Sequence, residues 1–332
     1  MLFLLRVLIL AISYLYFSRD NFVAELVISF FPYIIWFCIL ALIIEIYLII
    51  HESKRRRKYK WIRIFLIILV TILTIWIWTL YSSEFFWFYN QDDEFIRLKE
   101  SEEWIKVFYA NIYYKNIDYK TLQQKIIEEN PDIVVLVEFS DAHEEEMKDF
   151  FKENYPYINR NSRSTMLAGD AVFSKIPLEI ITKTHKVEAW TRNYSYMKIL
   201  NDEYEDWIDL YVIHTSAPVS YKNFEMRNDQ IGKLLSDFLK YHISWTPTMI
   251  IWDFNLSPWS HYYKQFTKHL KMLNAISYQA PNYTRSLLEQ WIFRSHIDQL
   301  FISPEIKISP VKIENLSWSD HRSFTFLFNV VR

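Results

Sequence analysis

Acids, amides and histidines in this chain fall at the ends of apolar runs. Glu138 lies near the end of Asp132–Phe139, His214 closes Trp207–His214, and Asp253 follows Thr248–Trp252. Loops that leave a rigid scaffold at strand ends commonly carry chemistry. In Met249–Asn255, MIIWDFN, Asp253 and Asn255 stand two apart. An extended chain there puts both side chains on one face and turns Phe254 into the core. A carboxylate in such a place can hold a metal or take a proton from water, and an amide can donate to a phosphate oxygen. Asp298 opens the apolar run of SHIDQLF, and SWSDHRSF sets Asp320 and His321 just before the last run. Other polar groupings read more plainly. His143, Glu144, Glu145 and Glu146 read as the solvated face of a charged helix, and His296 fits no pattern. Trp190, Trp207, Trp245 and Trp259 read as core or surface anchors, with Trp259, just after the DFN loop, the best candidate to line a substrate pocket.

The elements that must position these residues follow from periodicity. Short apolar runs at Val107–Ile112, Asp132–Phe139, Ala171–Ser174, Tyr194–Ile199, Trp207–His214, Thr248–Trp252, Ile297–Ile302 and Ser323–Val330 read as strands. Tyr119–Glu129, ending before Pro131, has helical spacing, as do Asp141–Lys152, Asn223–Tyr241 and Ser257–Leu270. Many strands with helices between them make an α/β fold with helices outside and sheets inside.

The ordered pieces resemble the endonuclease/exonuclease/phosphatase superfamily from about Val107 to Val330. They are Asn111 after a first strand, PDIVVLVE ending at Glu138, GDAVFSKIPL from Gly169, YVIHTSAP with His214, WDFNLSPWS with Asp253 and Asn255, HIDQLF with Asp298, and SDH ending at His321. The resemblance implies a four-layered α/β sandwich, two packed mixed β-sheets flanked by helices. It implies that Glu138 is the main ligand of a divalent ion, Mg²⁺ or Mn²⁺, with Asn111 and Asp320 near it; hard oxygen donors suit such ions. It implies that Asp253 orients or deprotonates the attacking water and that Asn255 and His214 hold the phosphate. Asp298 would orient His321, which would act at the phosphorus centre. Two positions bear on the pattern. Trp252 stands where the family has glycine, which puts the approach of substrate in question. Gly169, one of only two glycines in the chain, stands where the family has one and implies a special backbone conformation.

The first 82 of 332 residues differ from the rest: they carry nine Lys/Arg and four Asp/Glu, against 28 and 35 in the remainder. The acidic remainder is a poor general binder of polyanions, which argues against a nuclease. A lone cysteine, Cys38, excludes an intramolecular disulfide. Apolar runs at about residues 2–17, 22–50 and 61–81 read as three transmembrane helices of a membrane anchor. Between the second and third lies His51–Lys60, HESKRRRKYK, with six basic residues in ten. Short basic loops stay on the cytoplasmic side, so everything after the third span is expected outside the cytoplasm. Residues 83–105 read as a juxtamembrane connector and 106–332 as the catalytic domain.

Three spans before an external domain resemble a membrane-bound branch of the superfamily that includes proteins linked to glycopeptide resistance. That branch implies a lipid-linked phosphate or pyrophosphate of the cell envelope as substrate and the lipid bilayer as partner. Tethering would raise the effective concentration of lipid headgroups. An extracytoplasmic nuclease is the alternative, and a catalytically inactive membrane scaffold or sensor is the alternative of another class. No protein partner is inferred.

Overall fold

The computed structural model describes residues 21–29, isolated helical positions between 33 and 75, and 104–161, 169–181, 194–200, 207–241, 246–270, 272–276, 283–287, 292–316 and 318–330. Contacts divide the chain into two compact units, residues 1–89 with 259–261, and residues 90–258 with 262–332. The first unit contains α1 (Phe22–Ile28), opened by Asn21, whose side chain accepts from the Val23 amide. Among the described residues, no helix is long and apolar enough to cross a membrane. The predicted span at 2–17, nearly half of that at 22–50, most of that at 61–81 and nearly all of the connector lie outside the described residues.

The second unit is built on two mixed sheets. One has the order β13-β15-β1-β2-β4-β3, from Ile306–Ile308, Arg322–Val330, Ile105–Asn111, Ile133–Phe139, Gly169–Ser174 and Tyr157–Asn161; β14 (Lys312–Asn315) also pairs with β15. The other has the order β5-β6-β7-β8-β12-β9, from Leu178–Ile180, Ser195–Leu200, Trp207–His214, Thr248–Asp253, Asp298–Ile302 and Leu273–Asn274. A separate ribbon joins β10 (Arg285–Leu287) to β11 (Ile292–Ser295).

The central strands are apolar on both faces because both faces are covered. Val107, Tyr109, Val135 and Phe326 of one sheet meet Leu210, Val212, Ile251 and Leu300 of the other in a core between the sheets. The alternate residues Phe108, Val134 and Leu136 face α2 (Tyr119–Glu129) and α3 (Asp141–Asn154) through Leu122, Ile126, Met147 and Phe151. On the far side Ile213, Ile250 and Trp252 face α4 (Tyr221–Tyr241) and α5 (His261–Leu270) through Leu234, Phe238 and Phe266. The result is the expected α/β arrangement of two packed mixed sheets between helical layers.

Local sequence sets the helix ends. Asp118 caps α2 through the Thr121 amide, and the helix stops at Asn130, which takes a left-handed φ of 45° just before Pro131. Ser140 caps α3 in a reciprocal box with His143. This corrects the reading of His143 as part of a solvated face. It is fully buried beside Tyr119 and Phe139, and burial, helped by Arg160, lowers its pKa to about 4. The short strands β3, β5, β9, β10, β11, β13 and β14 have no counterpart in the predicted elements. Their lengths of two to five residues leave too little alternation to read.

Topology brings the polar residues to one edge. Strands β1 and β2 are parallel, as are β7 and β8, so Asn111 and Glu138, and His214 and Asp253, leave their strands at like ends. Strand β12 runs antiparallel to β8 and pairs Asp298 with Asp253, while β15 runs antiparallel to β1 and starts beside His321.

Candidate active site

Glu138 is set by backbone geometry. The register between β2 and β4 shifts between Val137 and Phe139, and Glu138 takes φ 61°, a left-handed conformation rare for a side chain-bearing residue. The bulge turns its carboxylate out of the ladder. Asn111 Nδ2 then donates to Glu138 Oε1 at 3.2 Å and the Tyr114 amide to Oε2 at 3.1 Å.

Asp253 is the centre of the group. It is fully buried, accepts from Asn111 Nδ2 at 2.8 Å and takes the Asn255 amide on its other oxygen at 3.1 Å. His214 Nε2 lies 3.6 Å from Asp253 Oδ2 and 3.8 Å from Glu138 Oε1. His321 Nε2 lies 3.9 Å from the same Asp253 oxygen. Burial, with the negative charge of Asp298 added, raises the Asp253 carboxyl to about 7.

His321 is oriented by Asp298. Its Nδ1 lies 2.9 Å from Asp298 Oδ2. A carboxylate only accepts, so Nδ1 carries the proton and Nε2 faces the cluster. The other Asp298 oxygen accepts from the Tyr109 hydroxyl at 2.7 Å, and Thr284 Oγ1 accepts the Asp298 amide at 3.0 Å. Burial works against a charge on His321, but Asp298 and Asp253 outweigh it and lift its pKa to about 9.

The remaining expected site residues fall in different places. Asn255, at φ 46°, donates from Nδ2 to the Thr215 carbonyl at 3.0 Å, and Arg227 donates to its carbonyl at 3.1 Å. Asn111 turns its amide nitrogen toward the acids, because its oxygen accepts the Tyr113 amide at 3.0 Å. Asp320 neighbours His321, but its carboxylate is held by Arg285 Nε at 2.8 Å, and the charges of His321 and Arg285 outweigh burial and lower its pKa. Trp259 is buried and falls in the smaller unit rather than among the site residues.

Trp252 and Gly169 resolve differently from expectation. Trp252 points away from the site into the layer under α5, with ring centroids 3.8 Å from Phe254 and 4.8 Å from Phe266. Substrate approach is therefore not narrowed by the indole. Gly169 has no left-handed φ; a Cβ there would sit 1.9 Å from the Asn161 carbonyl oxygen on β3. Close strand approach, not unusual backbone rotation, requires the glycine.

The donor set fits a hard divalent ion. Ligand atoms of Glu138, His214 and Asp253 lie within 4.8 Å of one another, as do those of Asp253, Asp298 and His321. The two groups share Asp253, and three carboxylates packed so closely call for a cation. Glu138 is the most open of them, its side chain 20% exposed.

Sequence reading missed Tyr109, Thr284 and Arg285. Tyr109 hides inside an apolar strand, where a hydroxyl leaves no pattern. Arg285 opens a three-residue strand with no apolar run to mark it, and Thr284 directly precedes that strand.

Residues 108–321 match the model of the Endonuclease/Exonuclease/phosphatase family. No curated protein matches the sequence significantly. The human Nocturnin catalytic domain with bound sulfate superposes with TM-score 0.53 at 17% identity, covering 69% of this chain and 95% of that one. TDP2 of D. rerio complexed with single-strand DNA product gives 0.53 at 15%, covering 69% and 100%. A mannosyl-6-phosphatase of Bacteroides thetaiotaomicron gives 0.52 at 14%, covering 68% and 99%. At these identities the likeness is one of fold.

Proposed function

The chain belongs to the endonuclease/exonuclease/phosphatase family, and from that premise we propose that this metal-dependent phosphoester hydrolase acts outside the cytoplasm on a phosphate ester or pyrophosphate presented at a membrane. The observation that carries the chemistry is Asp253, shared between the Glu138–His214 group and the Asp298–His321 pair. Glu138, the most open of the acids, would be the main ligand of Mg²⁺ or Mn²⁺, which when bound would withdraw charge from the phosphoryl group.

The chain's own residues do the rest. Asp253, buried and fixed by Asn111 and Asn255, accepts the proton of the attacking water. His321, kept protonated on Nδ1 by Asp298, places Nε2 against the phosphoryl oxygens and offers charge and a proton to the leaving oxygen. Asn255 spends one amide N–H on Thr215; the second has no partner among the described residues and serves as a donor to phosphate.

The membrane setting rests on the N-terminal part. Its apolar runs flank the basic loop His51–Lys60, whose charge favours the cytoplasmic side. Described helical positions there leave large apolar side chains uncovered: Ile50 is 71% exposed, Trp61 79% and Phe65 64%. Surface of that kind supports contact with lipid.

The test is hydrolysis by the full chain of polyprenyl pyrophosphate, phospholipid and DNA with Mg²⁺ or Mn²⁺, with Asp253→Ala as control. Preference for the lipid-linked phosphates supports the proposal. Preference for DNA makes the protein an extracytoplasmic nuclease, and no metal-dependent turnover makes it a scaffold. A reporter fused after Arg332 and active only in the cytoplasm would overturn the orientation.

A further inference from the structure

Arg285 sits directly across from His321. The Ser286 amide donates to the Asp320 carbonyl at 3.0 Å and the Arg322 amide to the Thr284 carbonyl at 2.7 Å, which makes Arg285 and His321 an antiparallel bridge pair. Bonds at the flanking residues define the non-hydrogen-bonded kind of pair, in which side chains stand closest and on the same face. His321 faces the acidic cluster, so Arg285 stands beside it.

Its guanidinium is half used. Nε donates to Asp320 Oδ2 at 2.8 Å, which fixes the plane of the fork. The terminal Nη1 and Nη2 groups make no hydrogen bond among the described residues, and the side chain keeps 32% of its surface exposed. Burial opposes its charge, but Asp320, Asp253 and Asp298 outweigh that and stabilise the cation. A planar fork with both terminal nitrogens open suits two oxygens of one phosphate.

The placement matters for substrate class. Glu138 and His214 form one triad with Asp253, Asp298 and His321 form the other, and Arg285 is paired with His321 of the second. A phosphoryl group bound across the two triads would meet Arg285 at the His321 triad rather than at the one that contains Glu138. A phosphodiester carries one negative charge and fills that side with a second ester group. A terminal phosphate, of a monoester or a pyrophosphate, fills it with a charged oxygen.

We propose that Arg285 is a substrate-binding, specificity-determining residue that grips the non-bridging oxygens of a terminal phosphate and makes this enzyme favour monoesters or pyrophosphates over internal diesters. The inference rests on the hydrolase reading above and narrows its substrate.

The test compares the full chain, purified in detergent with Mn²⁺, on p-nitrophenyl phosphate and bis(p-nitrophenyl) phosphate. Arg285→Met should lower kcat/KM for the monoester roughly ten- to hundredfold more than for the diester, the range for losing a charge-assisted contact. Arg285→Lys, which keeps the charge without the fork, should fall between. Equal losses on both esters would overturn the proposal, since a role limited to holding Asp320 and His321 would damage both alike. If the wild type hydrolyses neither ester, the hydrolase reading fails only where polyprenyl pyrophosphate, phospholipid and DNA are also left intact. Arg285 is then judged by calorimetric binding of inorganic phosphate at mildly alkaline pH, where phosphate is a dianion. Binding weakened about tenfold in Arg285→Met supports the contact, and unchanged binding refutes it.

Discussion

The Tyr109 hydroxyl, on one sheet, donates at 2.7 Å to Asp298 on the other, and Asp298 in turn holds His321. Every member of this chain is buried. The hydroxyl fixes one carboxylate oxygen so that the other meets the imidazole in a single orientation. Tyr109→Phe leaves that oxygen without its donor. Hydrogen bonds to charged groups contribute about 1.5–3 kcal/mol, so denaturant unfolding should show a loss of that order. We expect kcat to fall roughly tenfold with KM little changed, because the imidazole loses alignment in the transition state rather than grip on the ground state. An unchanged kcat beside a stability loss would reduce Tyr109 to a packing residue.

Glu138 combines a left-handed φ of 61° with a carboxylate in a group that could hold a metal ion. A residue with a Cβ pays about 1–2 kcal/mol to stand there, and glycine does not. Glu138→Ala and Glu138→Gly should both abolish metal-dependent hydrolysis. They should differ in stability, with the glycine variant more stable than the alanine variant by up to ~1 kcal/mol, after allowing for the extra freedom of glycine in the unfolded chain. Added Mn²⁺ should raise the melting temperature of the wild type and of neither variant. If alanine proves the more stable replacement, the bulge is not strained.

Much of this was legible because the sheets are covered on both faces. Largely apolar runs such as Trp207–His214 and Thr248–Asp253 announce central strands, and the polar residue that ends each run announces the site edge. What stayed hidden was non-local. The pairing of Tyr109 with Asp298 spans 189 positions in the chain, and only packed sheets reveal it. Asp320 and Arg285 illustrate the same limit. Sequence places Asp320 beside His321, but its partner comes from a strand too short to read. His143 looked solvated among three glutamates because its role as a buried capping residue depends on the ring of Phe139 beneath it.

Trp252 gives a prediction against the family pattern. The indole is fully buried with Phe254 and Phe266, and its Nε1 makes no hydrogen bond among the described residues. Trp252→Gly, which puts glycine where the resembling motif has it, should destabilise by about 3–5 kcal/mol through the cavity it opens. Trp252→Phe should cost less and leave kcat/KM close to wild type, since the ring faces away from Asp253. A large activity loss in a well-folded Trp252→Phe would show that the indole reaches the site.

Glu129 tests how the end of α2 is tied to the sheet. Its carboxylate meets Lys125 at 3.0 Å, Lys312 at 3.0 Å and Lys106 at 3.1 Å. Burial raises its pKa, but the three ammonium groups outweigh burial and bring it down to about 2. A carboxyl depressed in the folded state contributes stability that is complete above its unfolded pKa, about 4.3, and is lost as pH falls toward 2. Glu129→Gln should therefore melt several degrees below wild type near neutral pH, with the gap closing between about pH 4 and pH 2. Added salt should narrow the gap only in part, because Glu129 is 8% exposed while Lys312 reaches solvent. A gap that stays constant down to the acid limit would mean that Glu129 acts through packing and not through its charge.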